Sequence, residues 1–197
     1  MFFKQILGVF ATTLISASSS LAAYGQPNLP FTTTEFFRKD DKGLVYRQGF
    51  FGRNSMEYKI YSNGLFAYAD WNGMCSKDVM TDVLSCTMQN TRLGLGMIYI
   101  KPEVPDFICL SHQKFPGKTA MIRFDEEKPI EADANGCVDG KSTYDALLKA
   151  TKISTREYVF PNSLPIDRVG TMTGYDDSKK LMDYMRLNYG KLAFPQY

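Results

Sequence analysis

The chain has 197 residues, of which 23 are Lys or Arg and 21 are Asp or Glu, so its formal net charge at neutral pH is only +2. No dense block of Lys and Arg occurs anywhere along it, which argues against nucleic acid as a partner. Twelve Tyr and fourteen Phe favour strands over helices, because aromatic side chains suit a pleated, half-buried surface.

Residues 1–23 have the composition of a secretory signal peptide. A single Lys4 precedes an apolar run and a small-residue stretch that ends at Ala23. The apolar run is well short of the roughly 20 residues that a membrane-spanning helix needs. We therefore expect cleavage after Ala22 or Ala23 and no transmembrane segment in the mature chain. The expected location is periplasmic, with outer-membrane association or secretion as alternatives.

The mature chain is expected to fold as one domain behind a short tail. About 174 residues remain after cleavage, which is enough for a single core. Residues 24–34 hold two prolines, no charge and no periodic pattern. An extended tail is predicted over residues 24–42, and a single β-sandwich domain over residues 43–197.

From residue 43 onward, short runs rich in aromatic and β-branched residues are separated by turn residues. The predicted strands are GLVYRQGFF, MEYKIYS, LFAYADW, LSCTMQN, LGMIYIK, FICLSH, TAMIRF, REYVF and DRVGTM. Many short strands at this spacing predict an antiparallel sandwich or barrel.

The strongest local signal is a hairpin whose turn is Asn63-Gly64. A two-residue type I′ turn at this dipeptide pairs Ile60 with Ala67 and directs that face toward the core. The same register pairs Tyr61 with Phe66 on the face that meets solvent.

Two short helices interrupt the strands. Residues 141–151 begin with Ser142 as the predicted N-cap, and helix-forming residues follow it. Residues 175–190 start with two Asp, carry apolar residues on one side and end at Gly190. The second helix is predicted to cover the sheet as a lid.

His112 is the only histidine and hence the only imidazole base available. A nucleophile at Cys109 or Ser111 would need His112 on the same face of a strand, but one-residue and three-residue separations place side chains on opposite faces. We therefore assign no catalytic residue and interpret His112 as a residue at the surface end of a strand.

The stretch EADANGCVDGKS resembles a calcium loop at its start. Glu131, Asp133 and Asn135 alternate before Gly136, but the twelfth position is Ser142 instead of a bidentate Glu. A polar loop is the preferred interpretation, so no metal site and no cofactor are predicted.

The four cysteines, Cys75, Cys86, Cys109 and Cys137, are expected to form disulfides. Their number is even, the chain is predicted to be exported, and no Cys-x-x-Cys spacing is present. Three connectivities are possible. Pairing Cys75 with Cys86 and Cys109 with Cys137 is favoured because both bridges then close sequence-local loops.

Several segments in this order resemble the invasion-associated locus B family of bacterial envelope proteins. They are Trp71-x-x-x-Cys75, Cys86 entering a strand, Cys109 in a later strand, RFDEEKPI, the NGC step, YDALLKA and MTGYDDSKKLM. The resemblance implies an immunoglobulin-like β-sandwich that is exported to the envelope and associated with host-cell entry or colonisation. It carries over no catalytic residue, and the chain departs from the family pattern at Tyr175, where phenylalanine is expected.

These observations predict a non-enzymatic envelope protein that acts by binding a protein partner in the envelope or on a host cell. Two alternatives stay open. One is a small periplasmic hydrolase or isomerase, which needs convergent polar groups in a pocket. The other is an envelope-assembly or secretion subunit, which needs a sheet edge able to accept a strand.

Overall fold

The computed structural model describes residues 36–52, 56–111, 116–161 and 164–196. These residues form two antiparallel sheets and two short helices. The prediction of a mainly β chain with one or two short helices is confirmed.

The larger sheet has nine strands. They are β1 (Phe36–Lys39), β2 (Val45–Phe51), β3 (Met56–Tyr61), β4 (Leu65–Tyr68), β5 (Trp71–Lys77), β6 (Leu84–Asn90), β7 (Leu95–Tyr99), β8 (Phe107–Leu110) and β11 (Cys137–Asp139). Strands β1 to β8 pair with their neighbours in chain order, and β11 pairs with β8. The structure has two antiparallel sheets, as an immunoglobulin-like sandwich does. The strands of the larger sheet, however, follow one another as a meander.

The smaller sheet has four strands in the order β10, β9, β12, β13. Its strands and the two helices are β9 (Met121–Phe124), β10 (Ile130–Glu131), β12 (Ile153–Tyr158), β13 (Pro165–Gly170), α1 (Gly140–Lys149) and α2 (Tyr175–Leu187).

The core lies on one face of the larger sheet, where alternate residues of each strand are buried. Helix α2 lies against β4, β5 and β6, as the prediction of a lid requires, and α1 lies against β8 and β11. The largest fully buried side chains are Trp71, Tyr58, Tyr68, Tyr99, Phe66, Ile60, Met88, Leu93, Leu95, Met97, Ile108 and Ile122.

Leu93, in the turn between β6 and β7, joins the two sheets. Its side chain is fully buried, and its carbonyl oxygen accepts a 2.7 Å hydrogen bond from Thr155 Oγ1 of β12. A Cβ placed on Gly170 of β13 would come 3.1 Å from the Leu93 side chain. The smaller sheet is therefore packed tightly against this turn.

The larger sheet begins before the predicted domain boundary. Residues Phe36–Lys39, within the segment predicted as tail, pair with β2 as its edge strand. Residues 1–35, which include the predicted signal peptide, lie outside the described part of the chain.

The predicted register of the Asn63-Gly64 hairpin is wrong by one residue. Ile60 pairs with Phe66 instead of Ala67, and both side chains are buried. Gly64 alone takes a positive φ of 87° and donates a backbone hydrogen bond to Tyr61, so the turn is one residue longer than a type I′ loop. This extra residue moves Phe66 from the predicted solvent face into the core.

The predicted strand LFAYADW is divided in two. Strand β4 ends at Tyr68, Ala69 takes a φ of 52°, and β5 begins at Trp71. The short turn lets Tyr68 and Trp71 pair directly with each other. Sequence alternation did not reveal it because Ala69 is an uncommon residue for the left-handed region.

Helix α1 is capped by Asp139, so the prediction of Ser142 as the cap is wrong. The Ser142 backbone N–H donates to Asp139 Oδ1 at 2.8 Å. The helix therefore begins earlier, at Gly140, where a Cβ would come 2.0 Å from the Pro105 carbonyl oxygen. Only glycine fits at this close approach.

Candidate functional site

Cys75 and Cys86 form one disulfide, as predicted. They face each other directly on β5 and β6, and both residues are buried beneath α2. The Cα atoms are 4.0 Å apart, so the bridge links two neighbouring strands within the core.

Cys109 and Cys137 form the second predicted disulfide. They are directly opposed on β8 and β11, where the side chains are half-buried. This bridge fastens the last strand of the larger sheet, which arrives from 28 residues further along the chain. Two disulfides indicate an oxidising compartment outside the cytoplasm.

The two candidate nucleophiles, Cys109 and Ser111, form a disulfide and a hydrogen bond within the fold. Cys109 is bridged to Cys137, and Ser111 Oγ accepts a 2.8 Å hydrogen bond from Gln89 Nε2. His112 lies outside the described residues.

The loop that resembles a calcium site uses its carboxylate to shape a turn. Asp133 Oδ1 accepts from the backbone N–H groups of Asn135 and Cys137, at 2.9 and 2.8 Å. Within the described ranges, no three His, Cys, Asp or Glu residues are grouped so that they could hold a metal ion. The polar-loop interpretation agrees with these contacts.

The outer face of the smaller sheet contains a cleft of about 340 Å³, here called the basic cleft. This volume falls within the range of small-ligand sites. The lining residues are Met121, Arg123, Pro129, Lys152, Ser154, Thr155, Arg156, Asp167, Arg168 and Val169. Four of these residues are cationic and one is acidic, but the Arg168 side chain lies on the inner face with Thr155 and pairs there with Glu157, so Arg123, Lys152 and Arg156 supply the positive charge of the cleft.

Strand register explains why these side chains converge. Across β9, β12 and β13, Arg156 pairs with both Met121 and Asp167, which forms one row of the outer face. Ser154 pairs in the same way with Arg123 and Val169, which forms the next row. The small Ser154 side chain between two longer ones leaves the depression.

Two of the cations are fixed by close carboxylates. Arg156 donates from Nε and Nη2 to the two oxygens of Asp167, at 2.6 and 2.7 Å. This hydrogen bonding lowers the pKa of the Asp167 carboxyl below its usual value. Arg168 donates through Nη1 to Glu157, whose side chain is almost fully buried.

The other two cations share one exposed carboxylate. Lys152 Nζ lies 3.2 Å from Glu126 Oε1, and Arg123 Nη2 lies 3.6 Å from Glu126 Oε2. The Glu126 side chain is 78% exposed, so water competes strongly for both contacts. Arg123 and Lys152 are therefore the cations whose internal partner a ligand can displace most easily.

Sequence reasoning did not identify the basic cleft. Arg123 and Lys152 are far apart in the chain and become neighbours only because β9 pairs with β12. The one sequence signal was the alternation in TAMIRF, which places Met121 and Arg123 on the same face of a strand.

A hydrogen-bonded tyrosine cluster lies in the core under α2. The Tyr175 hydroxyl is 2.8 Å from the Tyr99 hydroxyl and also contacts the Tyr144 hydroxyl. Burial is the main cause that raises the pKa of Tyr99 and of Tyr175. Nearby, burial first and a hydrogen bond to Asp177 second raise the pKa of Tyr68 to about 12.

These shifts predict a loss of stability at high pH. A tyrosine whose folded pKa lies above its unfolded value of 10.0 stabilises the fold fully below that pH and loses this contribution as the pH rises through the folded value. For Tyr68 alone, the free energy of unfolding should fall by roughly 2 kcal/mol between pH 10 and 12. Urea unfolding of the wild type and of Tyr68→Phe across this range measures the effect. Equal pH slopes for the two proteins would contradict the assignment.

The fold and cleft define a disulfide-linked β protein with an electropositive surface site. No family model matches the chain, and no curated protein or solved structure matches it either. The resemblance to the invasion-associated locus B family is therefore carried only by the residues quoted from the sequence. In the described part of the chain, neither helix has the length and apolar character needed to cross a membrane.

Proposed function

We propose that this protein is exported to the bacterial envelope and acts there as a non-enzymatic binding protein, with the basic cleft as its contact site. Its partner is a protein of the envelope or of a host cell, as the resemblance to invasion-associated proteins implies. The two disulfides and the signal-peptide composition of residues 1–23 support export.

The observation that carries the binding function is the chemistry of the cleft lining. Two of the three cations that face the cleft are arginines, Arg123 and Arg156. A guanidinium group stays protonated in proteins, so it donates hydrogen bonds and positive charge but does not exchange protons during a reaction. Such a lining is suited to recognition.

The four-stranded sheet holds this lining in a fixed arrangement. The Arg156–Asp167 pair crosses β12 and β13, and Leu93 anchors the sheet from below. A site on paired strands is already formed before a ligand arrives, which lowers the entropic cost of binding.

Fractionation and thiol labelling test the proposed export. The natural host should place the processed chain in the periplasmic or secreted fraction, with no cysteine labelled before reduction. A cytoplasmic chain with two or more reactive thiols would refute the proposal.

Replacing His112 by Ala tests binding against catalysis. Since His112 is the only histidine, the folded His112→Ala variant should retain host-cell entry close to wild type if the protein acts by binding. An unfolding midpoint equal to that of the wild type is the control for folding. A folded variant that has lost all entry function would favour the enzymatic alternative.

A further inference from the structure

We propose that the basic cleft binds a carboxylate group of its partner at Arg123 and Lys152, and that Glu126 occupies this position until the ligand displaces it. This assignment rests on the proposed binding function and names the chemistry that the cleft recognises.

The four cations divide into two classes. Arg156 is engaged by both oxygens of Asp167, so it forms a fixed wall, and Arg168 is engaged by the buried Glu157 on the inner face of the sheet. Arg123 and Lys152 have side chains that are 36% and 45% exposed, and both reach toward Glu126. Arg156 is as exposed as Lys152, but both oxygens of Asp167 already satisfy it, so Arg123 and Lys152 are the cations left for a ligand.

The position of Glu126 shows that a carboxylate fits between Arg123 and Lys152. One of its carboxylate oxygens faces Lys152 and the other faces Arg123. The distance to Arg123, 3.6 Å, is too long for a hydrogen bond, so the internal carboxylate does not satisfy the guanidinium. A ligand carboxylate that sits deeper in the cleft can approach both cations more closely.

The rest of the lining favours a singly charged group with an apolar body. Asp167 lies on the opposite wall, and its negative charge repels a dianion such as phosphate more than a monoanion. Met121, Pro129 and Val169 supply apolar surface beside the cations. Glu126 approaches from the turn after β9, so a ligand carrying apolar groups gains contacts that the internal carboxylate lacks.

Fluorescence anisotropy with a labelled, end-blocked peptide that carries one glutamate between leucines tests the assignment. Arg123→Gln and Lys152→Gln should each weaken binding by about tenfold, because each removes a charged partner. Glu126→Gln should tighten binding by about threefold, because it removes the internal competitor. Lys191→Gln is the matched control, since this exposed lysine follows α2 and does not line the cleft, and it should leave binding unchanged.

Competition identifies the source of the carboxylate. Displacement by unlabelled peptide at a much lower concentration than by galacturonate indicates a protein, and the opposite order indicates an acidic polysaccharide; either order supports a carboxylate site. Inorganic phosphate that competes as well as the carboxylates overturns the assignment.

Three other outcomes would also overturn it. They are absence of binding by both carboxylate probes at millimolar concentration, an equal loss in Lys191→Gln, and no gain in Glu126→Gln. Since export and host-cell entry are measured independently of these probes, a negative result here would leave the proposed function standing with a different ligand.

Discussion

Replacing Cys75 and Cys86 together by Ala is expected to lower the free energy of unfolding by about 3 kcal/mol. The bridge closes a loop of 11 residues and restricts the unfolded chain. Both sulfur atoms also fill core volume beneath α2, so their loss removes packing contacts. Host-cell entry, the readout of the proposed function, should decline in parallel, because less folded protein survives.

Urea unfolding of the oxidised wild type and the double variant measures this change. The Cys109→Ala, Cys137→Ala variant is the control for burial, since its bridge closes a longer loop but is only half-buried. If chain entropy dominates, the control loses somewhat more stability; if core packing dominates, the Cys75 and Cys86 variant loses more. A change below about 1 kcal/mol in the Cys75 and Cys86 variant would contradict a structural role.

Replacing Arg168 by Met is expected to destabilise the protein by about 3 kcal/mol. The guanidinium pairs with Glu157, whose side chain is only 1% exposed, so its removal leaves a carboxylate in the interior without this counter-charge. Arg168 also lies against Gly94, where a Cβ would come 2.7 Å from Nη1. The variant therefore weakens the junction between the two sheets.

Arg156→Met provides a matched control on the neighbouring strand. The Arg156–Asp167 pair joins the same two strands, but its side chains are 44% and 53% exposed. Its loss should change stability by less than about 1 kcal/mol. Adding Glu157→Gln to Arg168→Met should restore part of the lost stability, because the interior charge is removed. Equal effects of the two Arg substitutions would show that burial does not determine the strength of these pairs.

Local sequence signals predicted most strands and both helices. Runs such as LSCTMQN coincide with β6, and α2 begins at Tyr175, where the acidic first turn was recognised. The errors lie at Gly64 and Ala69, where a positive φ lengthens a predicted turn or introduces a turn within a predicted strand. A single extra turn residue reverses which face of a strand is buried, and alternation alone does not reveal it.

The role of Tyr175 also depended on tertiary structure. The sequence marked it as a departure from the phenylalanine of the family pattern. In the fold, its hydroxyl contacts the hydroxyls of Tyr99 and Tyr144, which come from β7 and α1. The hydroxyl group that distinguishes Tyr175 from phenylalanine therefore has hydrogen-bond partners 76 and 31 residues away in the chain.

The sequence by itself determined the mainly β class and the lid helix through residue periodicity, and it favoured the two disulfide pairs because their cysteines lie close along the chain. The basic cleft was decided only by tertiary structure. Arg123, Lys152 and Asp167 belong to segments that meet through the pairing of β9 with β12 and of β12 with β13. Such pairing depends on burying Ile122, Ile153 and Leu93 together, and this packing energy belongs to the whole core and not to any local pattern of residues.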